Sequence, residues 1–86
     1  MNVPYEVKVR VKSIYRDRQR LISRNDIRGL QAQQVIDELC GVERSIVMQQ
    51  LNGVHYTHIN EPMSERNMQR LVHRFIYQLA ERLNEI

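Results

Sequence analysis

Along the C-terminal segment 64–86, apolar residues recur at the spacing of a single helix face. Met68, Leu71, Val72, Phe75, Ile76, Leu79, Leu83 and Ile86 form a wide stripe, and Arg66, Arg70, Arg74, Glu81 and Arg82 occupy much of the remaining circumference. Ser64 is suited to the N-cap, and Glu65 stands in the first turn, where a negative charge faces the positive end of the helix dipole. At about 1.5 Å per residue the pattern predicts a helix about 30 Å long, which spans a small domain from side to side. A stripe this broad has to be covered. In a chain of 86 residues one part is expected to be the chain's own core. The rest, represented by Val72, Phe75, Leu79 and Leu83, is expected to be the seam of a homodimer.

The whole chain, 1–86, reads as one domain, with no linker, repeat or low-complexity tract. An apolar fraction of 42% is enough for a packed core, so global disorder is not expected. No hydrophobic run is long enough to span a bilayer, and the N-terminus has no signal-peptide pattern. Cys40 is the single cysteine, which excludes an intrachain disulfide and suits a reducing, cytoplasmic setting.

Ahead of the C-terminal stripe, residues 3–12 alternate. Val3, Tyr5, Val7, Val9 and Val11 fall on one side, and Glu6, Lys8, Arg10 and Lys12 on the other. A period of two with β-branched residues predicts a strand within 1–13, followed by a helix somewhere in 14–24. A helical reading from Pro4 onward also exists, because Val7, Val11, Ile14, Tyr15, Leu21 and Ile22 make a stripe of their own. Residues 25–40 open with the capping types Asn25 and Asp26 and carry Val35, Ile36, Leu39 and Cys40 at helical spacing. Gly41 stands where a left-handed stop would fit.

The segment 43–59 reads two ways. Asn52-Gly53 is a hairpin signal, which would make residues 45–59 two strands and the chain a β-α-β-β-α fold. The same pair also suits a helix C-terminus. Folded as a hairpin, neither face would be cleanly apolar. Folded as a helix, Val42, Ile46, Val47 and Leu51 come together and Glu43, Arg44, Ser45, Met48 and Gln49 are left outside. The helical reading is preferred. The expected fold class is therefore mainly α, a helix-turn-helix bundle with a small N-terminal β-strand and a long C-terminal helix. The alternative is α+β.

Charge is unevenly distributed. The first 28 residues hold eight cations against three acids, whereas the remainder holds five against seven, giving a net +3. A basic end of this kind attracts polyanions, above all phosphate. His55, His58, His73 and Cys40 lack the tight spacing of a metal-ligand set, so no metal or other cofactor is expected. Asp37 and Glu38 are neighbours on a helix and point apart, so they do not form an acid/base pair. No Gly-rich phosphate loop is present, and an enzyme is not expected.

The run Gln33-Gln34 through Gly53 resembles the helix-turn-helix of the Cro/C1 (Xre-like) repressor family. Gln33 and Gln34 open the first helix, Ile36 and Cys40 are its inner apolar positions, and Gly41 occupies the turn. Val47 packs between the helices, and Leu51-Asn52-Gly53 close the motif. The likeness extends less tightly over residues 28–76, and Asp37 and Gln50 depart from the family's pattern. It implies a small, cytoplasmic, sequence-specific regulator of transcription (a repressor of the kind common in phage and mobile elements) that binds double-stranded DNA as a homodimer. Arg44, Ser45, Met48 and Gln49 would then reach base edges in the major groove. Gln33 and Gln34 would hold phosphates at the start of the first helix, and Lys8, Arg10, Lys12 and Arg16 would neutralise further backbone charge. The alternative is a non-catalytic protein-interaction module, an inhibitor or assembly factor, with the β-α-β-β-α architecture.

Overall fold

The structure is a computed structural model that describes residues 2–86; Met1, included in the expected 1–13 strand, lies outside the described residues. Among the described residues five α-helices follow one another: α1 (Tyr5–Arg16), α2 (Arg18–Ser23), α3 (Ile27–Asp37), α4 (Gly41–Leu51) and α5 (Glu65–Arg82). One 3₁₀ turn, Tyr56–His58, lies between α4 and α5. None of the described residues is in a strand. The N-terminal strand and the β-α-β-β-α alternative are thereby corrected.

The reason lies in which side chains the core accepts. Val3, Val7, Val11 and Tyr15, four residues apart, are all buried, and the last two are completely so. Tyr5 and Val9, which a strand would place beside them, are 78% and 48% exposed. A lone strand at this end would also leave its peptide groups without partners. Residues 54–59, the second strand of the hairpin alternative, form a loop and the 3₁₀ turn instead. Pro4, having no N–H to satisfy, stands at the N-cap of α1 and its carbonyl accepts from Lys8 N at 3.0 Å.

The junctions are set by small local devices. Asn25, read from sequence as opening a helix, closes α2 in the left-handed conformation (φ 60°). Asp26 is the cap of α3 and accepts from Arg28 N at 3.0 Å. Helices α2 and α3 cross at close quarters over Gly29. A Cβ built there would stand 2.7 Å from the Arg18 carbonyl oxygen and from Leu21 Cβ, so the crossing requires a glycine. Gly41 does not stop α3. It is the first residue of α4, with Cys40 as its N-cap, and the left-handed glycine is Gly53 (φ 97°) at the end of α4. The Asn52-Gly53 pair thus terminates a helix rather than turning a hairpin. Ser64 caps α5 as expected, its Oγ accepting from Asn67 N at 3.2 Å.

Helix α5 is the post around which α1, α3 and α4 are arranged. Met68, Leu71, Val72, Phe75, Ile76, Leu79 and Ala80 are all buried by them. The Phe75 ring meets the edge of Tyr15 with centroids 5.7 Å apart and planes at 88°. Val72, Phe75 and Leu79, expected at a dimer seam, are therefore 3%, 1% and 0% exposed within a single copy of the chain. As folded, they have no surface to offer a second copy, because three other helices already fill the space over the stripe. Leu83 is half-buried beside the same core.

Candidate nucleic-acid interface

Helix α4 is held by Ile46, Val47 and Leu51, which are almost fully enclosed, and this fixes which of its sides faces outward. Arg44, Ser45, Met48 and Gln49 are gathered on the flanks of that helix, each half-buried. Their side chains are already engaged within the chain. The Arg44 guanidinium folds back and donates to the carbonyls of Asp37 at 3.2 Å and Leu39 at 3.3 Å, satisfying the end of α3 that no left-handed glycine closes. Ser45 Oγ accepts from Gln49 Nε2 at 2.9 Å. Met48 lies against the core.

The expected phosphate contacts are more scattered. Because α3 begins at Ile27, Gln33 and Gln34 lie in its C-terminal half, at the negative end of the helix dipole. The expectation that free amides and dipole would hold a phosphate beside them is corrected on that ground. Gln33 accepts from Arg18 Nε and donates to Asp37, each at 2.9 Å, while Gln34 is exposed. On α1, Lys8 and Lys12 are half-buried, Arg10 pairs with Glu85 at 2.7 Å, and Arg16 Nε donates to the Leu51 carbonyl at 2.9 Å. Farther along, Arg18 lies 4.2 Å over the Tyr15 ring, Arg20 pairs with Asp17, and Arg28 pairs with Asp26. The strongly basic first third of the sequence thus spends several of its charges on internal partners instead of presenting one stripe.

A basic surface does exist elsewhere. Arg66, Arg70 and Arg74 succeed one another at four-residue intervals along α5 and are all exposed. With Glu43, Met63 and Leu71 they line an open groove of about 790 Å³ beside the start of α4. Arg74 pairs with Glu43 at 3.4 Å. Among the described residues no ion pair involves Arg66 or Arg70. In the sequence this row reads only as the solvated side of an amphipathic helix. The signal that could have singled it out is the strict spacing of three arginines on a helix whose opposite side is core.

Away from the groove, Asp26 and Tyr15 have shifted protonation equilibria. The Arg28 guanidinium and backbone N–H bonded to Asp26 pull that carboxyl down to about 2. Burial pushes the Tyr15 phenol up, against the lowering influence of Arg18. No described helix is long and apolar enough to cross a membrane. Comparisons with protein-family models, with curated proteins and with solved structures find no match.

Proposed function

We propose that this chain is a small sequence-specific DNA-binding regulator of transcription that lays α4 into the major groove. The observation that carries the reading is that residues 41–51 are a helix anchored to the body by Ile46, Val47 and Leu51, with Arg44, Ser45, Met48 and Gln49 half-exposed on its flanks. At about 1.5 Å per residue its eleven residues make a rod about 16 Å long, on a scale that a groove about 12 Å wide accepts. Gln49, released from Ser45, would pair with an adenine, and Arg44, released from the α3 carbonyls, with a guanine. The Gln49 release gives up one internal hydrogen bond and the Arg44 release two, so recognition is coupled to a small rearrangement at the α3–α4 junction. Pairing of two copies on a two-fold operator belongs to this proposal, with a seam lying outside Val72, Phe75 and Leu79.

The test is fluorescence anisotropy of labelled duplexes selected from a random pool. The intact protein is expected to enrich a defined sequence. The Gln49→Ala variant, which leaves the Arg44 bonds to the end of α3 in place, should keep its affinity for mixed-sequence duplex while losing discrimination, by about 1–3 kcal/mol for the base contact removed. Absence of binding to any duplex at low salt would sink the reading.

A second reading, a non-catalytic protein-interaction module, draws on the exposure of Ile27 (61%) and Leu30 (44%). They border a small hollow with Ile22. On that reading duplex DNA is not bound at any salt concentration.

A further inference from the structure

We infer that the groove between the start of α4 and α5 seats the DNA backbone, with Arg66, Arg70 and Arg74 facing its phosphates and Glu43 acting as the intramolecular anion that a phosphate displaces from Arg74. This rests on the DNA-binding reading above and assigns the contact that supplies its electrostatic share.

Four residues of helix advance about 6 Å and turn slightly more than a full circle, so the three arginines form one row about 12 Å long on one side of α5. Duplex DNA carries one charge per about 3.4 Å of axis on each strand, so a row of this length runs beside three or four phosphates. Arginine suits this task because its planar guanidinium donates two parallel hydrogen bonds to phosphate oxygens. The row lies in the same groove as Glu43, in the first turn of α4, so a backbone seated on it runs past the N-terminal end of the proposed reading helix.

Glu43 gives the site an asymmetry. Its carboxylate sits in the groove, pairs with Arg74 at 3.4 Å, and accepts a hydrogen bond from Cys40 Sγ at 3.4 Å. An incoming phosphate must compete with that carboxylate for Arg74 and is also repelled by it. Arg66 and Arg70, at the other end of the row, have no such competitor among the ion pairs of the described residues. The groove is therefore half open to phosphate and half occupied by the chain's own anion.

The experiment measures affinity for a mixed-sequence duplex across a series of salt concentrations, with circular dichroism confirming that each variant keeps its helices. Arg66→Gln/Arg70→Gln is expected to weaken binding on all sequences alike, by tenfold or more near ~0.1 M salt, and to reduce the slope of log affinity against log salt by about 1.8. Glu43→Gln is expected to act in the opposite direction, tightening binding and steepening the slope by about 0.9. If the intact protein binds duplex but the arginine double variant keeps its slope, the groove assignment is overturned and the reading by α4 stands. Unchanged or weakened binding in Glu43→Gln removes the displaced-anion role. If the intact protein binds no duplex at any salt concentration, both proposals fail together.

Discussion

Several polar side chains here act on the ends of helices rather than on solvent. Asp26 caps α3, Arg44 closes its far end, and Arg16 meets the last carbonyl of α4. Tyr15 is the opposite case: its ring is fully enclosed between Phe75 and the Arg18 guanidinium, and its hydroxyl has no hydrogen-bond partner among the described residues. The cap at Asp26 has a consequence for acid behaviour. Its carboxyl is held near 2 against an ordinary value of 3.8, chiefly by the side-chain hydrogen bond from Arg28. Folding therefore favours the charged form. The stabilisation is fully present above the ordinary value and is lost as pH falls from about 4 towards 2. A carboxyl-detected NMR titration should place the Asp26 midpoint near 2, and Asp26→Asn should flatten that part of the acid-unfolding curve. A midpoint near 4 would show that the cap is not formed in solution.

At the scale of elements, α1 illustrates how one pattern serves two structures. Every fourth residue is also every second residue, so valines at 3, 7 and 11 satisfy a strand and a helix alike. The two are separated by Tyr5 and Val9, which a strand buries and a helix leaves outside. They can be separated experimentally as well. Val11→Ala should cost roughly 2 kcal/mol in urea unfolding, because a fully enclosed side chain is cut back. Val9→Ala should change stability by less than about 0.5 kcal/mol, since an exposed β-branched residue gives way to the best helix former. Equal losses at the two positions would mean they share a buried face, and α1 would be wrong. The α3–α4 junction shows the same ambiguity at a single residue. A glycine after a helical run suits a stop or a start, and Gly41 turns out to be a start because Arg44 already supplies the stop.

For the whole molecule the organising fact is that α5 is enclosed by α1, α3 and α4. A body with principal extents of 36 × 26 × 20 Å has one core, and Phe75 stands in it against Tyr15. Phe75→Ala should cost about 3–5 kcal/mol, a large part of the roughly 5–15 kcal/mol that holds a small domain folded. All helices should then melt together at a lower urea midpoint, as followed by far-ultraviolet circular dichroism. Loss of α5 alone, with the other helices retained, would mean that they do not depend on it. Taken by itself, the sequence determined what is local: the long stripe of α5 with its Ser64 cap, the helix leading to Val35 and Ile36, and the end of α4 at Asn52-Gly53. These follow from spacing, capping and backbone preference within a few residues. Tertiary structure alone decided that α1 coils, since no neighbouring segment offered a strand edge to satisfy an extended backbone. It also decided that Val72, Phe75 and Leu79 face their own chain, and that Arg44 turns inward while Arg66 and Arg70 remain outside. Which partner covers a face depends on residues far along the chain, and no local spacing encodes that distance.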